Sequence, residues 1–184
     1  MRWVWLDLIL ELQRAERCVA VRTVSHGEEL LHDHFPAGVD DEGHFRPAMP
    51  VMPHSLIIEG MAQCAGILTG HANDFREKVI LAKIGKAVFT EALAVPGTTL
   101  RHTAVMQRLD ETGSSVSGTV ELLHPAGGAP EPLAEIELMF SHVDRNLKGM
   151  VFPAKNFVFT PQFTELLVRS GVMTDAEAAE IAAR

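Results

Sequence analysis

Glu59 is the single charged residue between Ser55 and Thr69, and its neighbours are almost all apolar. An ionised carboxylate is rarely buried without a partner. Burial favours the protonated form of a carboxylic acid, the form a general acid must hold near neutral pH. Gln63 follows four residues later and, on a helix, shares the face of Glu59, where its amide can orient the carboxyl group. A glutamate that ends at an interface, paired to a cation, is the competing reading, and the helix alone leaves both open. The sequence also holds nine histidines, the side chain whose ordinary titration lies nearest neutrality and which serves most often as a general base. Three of them, His32, His34 and His44, fall in one stretch. A metal site from His32 and His34 would rest on a two-residue spacing in a loop, so no metal site is expected.

The elements that must position these residues can be read from periodicity. Leu8 to Ser25 reads as two strands around a polar turn at Arg14-Ala15-Glu16-Arg17, with Ile9, Val19, Val21 and Val24 supplying β-branching. Glu28 to Pro53 holds Pro36, Pro47, Pro50 and Pro53 and the acidic turn Gly38-Val39-Asp40-Asp41-Glu42-Gly43. It reads as a long irregular segment, and such segments tend to be functional. Pro53 opens a helix, where its missing N–H costs nothing. Ser55 to Gly70 is apolar nearly all round, which makes it a buried helix. Strands follow at Val79–Ile84, Thr98–Leu109, Val116–Leu123 and Leu133–Val143, with turns at Val95-Pro96-Gly97, Asp110-Glu111-Thr112-Gly113 and Gly127-Gly128-Ala129-Pro130. Leu100, Val105 and Met106 are the inward candidates of the second of these. Antiparallel strands around one helix give an α+β class.

Composition narrows the function classes. Of the 184 residues 47% are hydrophobic and 22% charged, which suits a globular chain. A formal net charge of -8 argues against nucleic acid and anionic membranes as partners. Cys18 and Cys64 form no CxxC pair and read as buried, reduced thiols, which fits a cytoplasmic setting. Asp7 and Glu11 interrupt any signal-peptide core near the N-terminus, and no apolar run is long enough to span a bilayer.

The run Pro50-Val51-Met52-Pro53-His54-Ser55-Leu56-Ile57-Ile58-Glu59-Gly60-Met61-Ala62-Gln63 resembles the signature of the β-hydroxyacyl-(acyl carrier protein) dehydratases of bacterial fatty-acid synthesis, the FabZ type. That family carries Pro-Val-Met-Pro-Gly followed by Leu-Ile-Ile-Glu-Ala-Met-Ala-Gln. Leu81–Phe89, Val95-Pro96-Gly97 and Ala134–Phe140 look like its later strands, so the resemblance covers roughly residues 5 to 143. It implies a hotdog fold, an antiparallel sheet wrapped around one long central helix. It implies a homodimer or higher homo-oligomer, with the active site at the subunit interface and a histidine of one subunit facing the carboxylate of the other. It also implies dehydration of a (3R)-hydroxyacyl thioester to the trans-2-enoyl thioester, with no cofactor.

On this resemblance Glu59 and a histidine are the catalytic pair, and Gln63 orients Glu59. His34-Phe35-Pro36 keeps the family's His-Phe-Pro and is the preferred base, at the cost of an insertion at about 38–48. His44-Phe45-Arg46-Pro47 is the alternative, closer to Pro50 but without the proline after phenylalanine. Backbone N–H groups of His54 and Ser55, at the start of the helix, would polarise the thioester carbonyl. Val51, Met52, Pro53 and Ile58 would line the substrate tunnel. His54 replaces the family's glycine, a strained choice if that position needs a positive φ. Thr90-Glu91-Ala92-Leu93 lacks the basic residues expected for docking an acidic carrier protein, which leaves acyl carrier protein and coenzyme A both open as carriers. A hotdog thioesterase and a non-catalytic acyl-binding protein are the alternatives.

Residues 1–144 thus read as the dehydratase-like domain and 145–184 as a C-terminal extension outside the resemblance. The extension reads as partly helical, over Thr164–Ser170 and Asp175–Arg184, with Thr174 as N-cap of the second helix. Its phenylalanines, Phe152, Phe157, Phe159 and Phe163, could cap the tunnel, pack on the sheet or build a higher oligomer.

Overall fold

The computed structural model describes residues 4–143 and 158–183. The two N-terminal runs form strands β1 (Leu8–Gln13) and β2 (Arg17–Thr23), paired antiparallel. Ala15, at φ 55°, makes the left-handed step in the turn between them. The segment expected to be irregular holds a short helix, α1 (Glu29–Asp33), and two-residue strands β3 (Gly38–Val39) and β4 (Phe45–Arg46). The two strands pair as a small hairpin apart from the main sheet, over the stretch expected as an insertion. Asp40 ties this hairpin: its carboxylate accepts the N–H groups of Glu42 and His44 and the Arg46 guanidinium. These donors, the His44 amide first, hold Asp40 below the usual carboxylate range.

Helix α2 (His54–Ala72) is the long apolar element. Strands β5 (Val79–Phe89), β6 (Thr99–Asp110), β7 (Gly113–Leu123) and β8 (Glu131–His142) join β1 and β2 in one antiparallel sheet of order β1-β2-β6-β7-β8-β5. α2 packs against five of these strands, β2 and β5 to β8. Its Ile57, Met61, Cys64 and Leu68 meet Leu100 and Ala104 of β6, Val116 and Val120 of β7, and Ile136 and Leu138 of β8 in one core. Both cysteines are buried and free, and the Cys64 Sγ lies 3.6 Å from the Cys18 carbonyl.

Two strand expectations need correction. Val105 was expected to face inward, but it is exposed. The inward row of β6 is Leu100, His102, Ala104 and Met106, a strict alternation that puts Val105 on the other face. A histidine in the row hid the pattern. Periodicity alone ends β5 at Ile84, yet it pairs with β8 as far as Phe89↔Ala134, in keeping with the strand that the resemblance implies over Leu81–Phe89. Irregularities between Leu81 and Lys83 and between Ile84 and Lys86 break its period of two, and as an edge strand it is mostly exposed.

After the described residues resume, α3 (Pro161–Arg169) and α4 (Asp175–Ala183) follow. α3 begins earlier than expected because a proline is tolerated in a first turn. Thr174 and Glu177 form a reciprocal capping box: the Glu177 carboxylate accepts the Thr174 N–H at 2.8 Å and the Thr174 hydroxyl accepts the Glu177 N–H at 3.3 Å. Leu166, Leu167 and Phe159 join the core built by α2 and the sheet. Phe152, Phe157 and the 144/145 boundary lie outside the described residues.

His102 is one of several polar residues buried among the described residues, and it sits against α2. It is fully buried, and a Cβ at Gly60 would collide with its Nε2, so the α2 position beside Glu59 must be glycine for the ring to fit. Burial pushes the imidazole down to about 4, opposed by the Ile57 carbonyl, which favours the protonated ring. A neutral buried histidine stabilises the fold fully above its ordinary value, near 6.5, and that contribution is lost as pH falls toward about 4. At about 1.4 kcal/mol per unit this amounts to roughly 3 kcal/mol. Urea unfolding of wild type and His102→Leu between pH 7 and 4 tests it. Wild type should lose roughly 3 kcal/mol more than the variant over that window.

Candidate active site

One stripe of α2 is left partly open by the sheet. Glu59, Ala62, Gln63, Gly66 and Ile67 recur at three- and four-residue spacing, so they lie along one face. Val79 and Leu81 of β5, Phe140 of β8, and Val158, Phe159 and Phe163 complete an apolar cleft of about 180 Å³ against them. Glu59 is half-buried in its wall. A larger depression, about 440 Å³, is lined by β5, β6–β7 turn and β8 residues and by none from α2.

The orientation of Glu59 is set by a relay from the N-terminal segment. The Trp5 backbone N–H donates to Gln63 Oε1 at 2.7 Å, and Gln63 Nε2 donates to Glu59 Oε1 at 2.8 Å. A backbone N–H can only donate, so the Gln63 oxygen must face Trp5 and its NH₂ group must face Glu59. Gln63 is itself buried, which holds the relay away from solvent.

At the start of α2, the Leu56 and Ile57 amides both bond to the Pro53 carbonyl, at 3.0 and 3.2 Å. Among the described residues the His54 and Ser55 amides have no backbone acceptor, and no side chain caps the helix. Both residues are exposed. His54 is the first helical residue and is not in the left-handed region, so it carries no backbone strain. Its ring stacks flat on Phe89, with centroids 3.9 Å apart and planes 4° apart.

The remaining candidates are spread out. His34 ends α1, exposed, with its ring edge-on to Phe35 at 4.4 Å. His44 is exposed on the hairpin, 3.7 Å from Asp40 and 3.6 Å from Glu42. Among the described residues neither histidine is hydrogen-bonded to Glu59. Val51 and Met52 are buried in the core, Pro53 and Ile58 are part-buried, and none of the four lines the cleft. The cleft walls come instead from Ile67, Val79, Leu81, Phe140 and the two tail phenylalanines. The helical stripe through Glu59 and Gln63 was the signal that could have found Ile67. Among the described residues no cluster of three or more His, Cys, Asp or Glu could hold a metal ion.

A FabA-like domain model matches residues 41–122. The 3-hydroxyacyl-[acyl-carrier-protein] dehydratase FabZ of Pelotomaculum thermopropionicum is 31% identical over 137 residues, 74% of this chain and 85% of that protein. The chain belongs to the FabZ dehydratase family. The FabZ of Koribacter versatilis is 37% identical over 98 residues, 52% of this chain, and the match spans 55% of that relative's length. Among solved structures, the dehydratase heterocomplex ApeI:P from Xenorhabdus doucetiae aligns with a TM-score of 0.52 at 19% identity, over 76% of this chain and 82% of that one. The architecture is the hotdog fold.

The Gln63 relay in this FabZ relative can be tested by stability. Gln63→Leu removes the acceptor of a buried N–H and a donor to Glu59. The expected cost is about 1–3 kcal/mol, read by urea unfolding at pH 7.

Proposed function

We propose that this chain eliminates water from a (3R)-hydroxyacyl thioester to give the trans-2-enoyl thioester, as in fatty-acid synthesis. The observation that carries the proposal is Glu59, half-buried at an apolar cleft and oriented by Gln63. It lies between one and two turns from a helix start whose first two amides have no backbone acceptor.

The chemistry follows from that arrangement. The amides of His54 and Ser55, reinforced by the helix dipole, would hold the thioester carbonyl oxygen as negative charge develops on it. A histidine would take the proton from the carbon next to the carbonyl, and Glu59 would give a proton to the departing hydroxyl. One C–H and one C–O bond break, a carbon–carbon double bond forms, and water leaves. The acyl chain would continue from the reacting carbons into the cleft.

The base would be His34 of the partner subunit, with His44 as the alternative, in a homodimer that forms the site at its interface. Strand β5 supports such an assembly. It is a sheet edge, and Leu81, Ile84 and Val88 along it are exposed. Among the described residues no further strand pairs with it, and an open edge carrying exposed apolar side chains invites another chain. The acyl carrier would be acyl carrier protein or coenzyme A. A cytoplasmic setting fits the buried free thiols, and among the described residues no helix is long and apolar enough to cross a membrane.

The test is enoyl-thioester absorbance with purified protein and (3R)-hydroxyacyl substrates on both carriers. Enoyl product should form, and Glu59→Gln should lower kcat by about a hundredfold or more. Loss in His34→Ala identifies that residue as the base, and retention there with loss in His44→Ala moves the role. Release of free thiol without enoyl product would instead mean hydrolysis. No turnover on either carrier, with the fold intact, would leave acyl binding as the better account.

A further inference from the structure

The stripe that begins at Glu59 does not run the whole length of α2. Glu59, Ala62 and Gln63, then Gly66 and Ile67, line the cleft in order. The next residue on this face is Gly70, four beyond Gly66. There the space is filled: a Cβ at Gly70 would collide with the Phe159 ring. Phe159 is 4% exposed and packs edge-on against Phe75 at 4.8 Å. Phe163, one turn into the tail, lines the same cleft.

This stop is firmly anchored. Leu166 and Leu167 are each 1% exposed in the core. The Ser170 hydroxyl accepts the Ile9 N–H at 2.9 Å, and Arg169 donates to the Asp7 carbonyl at 2.7 Å. The segment carrying the two phenylalanines is therefore bound to β1 and to the N-terminal chain ahead of it.

We propose that Phe159 and Phe163 form the end wall of the Glu59 cleft and restrict the enzyme to short- and medium-chain acyl groups. The inference rests on the dehydratase reading for its choice of ligand. With the thioester at the helix start and the hydroxyl at Glu59, the acyl tail must run toward the C-terminal end of α2. Eight residues separate Glu59 from Ile67, about 12 Å at 1.5 Å per residue. An extended chain advances about 1.2 Å per bond, so the stripe holds about ten bonds at most. Phe163 is the adjustable part of the wall, being half-buried, whereas Phe159 belongs to the core.

Two measurements test the end wall. The first is kcat/KM of the full chain on four-, eight- and sixteen-carbon (3R)-hydroxyacyl thioesters. The sixteen-carbon substrate should be at least tenfold poorer than the eight-carbon one. Phe163→Ala should raise the sixteen- to eight-carbon ratio about tenfold, and Phe163→Trp should lower the eight- to four-carbon ratio. Equal use of all three lengths, or ratios unmoved by both variants, overturns the proposal. The second is calorimetric binding of saturated acyl-coenzyme A of the same lengths, which needs no chemistry. If no elimination occurs with any substrate, the dehydratase reading fails. The end wall then still stands if binding shows a length limit that Phe163→Ala relaxes, and falls if binding is absent or indifferent to length.

Discussion

A nineteen-residue helix with apolar residues on every face must be covered almost completely, and one carboxylate on it must not be. That conflict organises the molecule. The sheet covers α2 through β2, β6, β7 and β8, where the side chains of Leu100, Val116, Val120, Ile136 and Leu138 are buried against it. At β5 the cover thins, and the stripe through Glu59 stays accessible. Fully burying an apolar side chain is worth about 1.5–3 kcal/mol, so the helix holds its position through many such contacts. Glu59 is thereby presented from a rigid element rather than a loop.

The polar groups near Glu59 are handled in two different ways. Gln63 is buried and satisfied on both sides of its amide, by a backbone donor and by the carboxylate. A satisfied pair of this kind fixes an orientation at little net cost. His102 is buried with its titration pushed far down, and its ring occupies the gap left by Gly60. The first arrangement positions the carboxylate. The second fills space against the adjacent residue of the helix, at the expense of stability in acid.

The C-terminal segment changes the meaning of the cleft. Phe159, Leu166, Leu167 and Ile181 are buried in the core shared with α2 and the sheet. Gly70 is the point of contact, a helix position where the absence of a side chain admits a ring. A groove that would otherwise continue along α2 meets the Phe159 ring at that position. The uncapped amides of His54 and Ser55 and the Phe159 ring at Gly70 thus lie toward opposite ends of one helix.

By itself the sequence determined the central helix, the antiparallel strands around it and the isolated carboxylate with its glutamine four residues on. Those features are local: apolar periodicity, turn residues and i, i+4 spacing are written within a few residues of each other. The hotdog arrangement and the FabZ family followed from one contiguous motif for the same reason. What only the tertiary structure decided was contact between distant segments. The Trp5 amide reaches Gln63 across 58 positions, Phe159 settles on Gly70, and His102 lies against Gly60. The inward row of β6 was masked because its middle member is a histidine, and the extent of β5 because irregular pairing broke its alternation. The walls of the cleft come from α2, two strands and the tail. No local pattern encodes that meeting, since it depends on how the packed elements leave space between them.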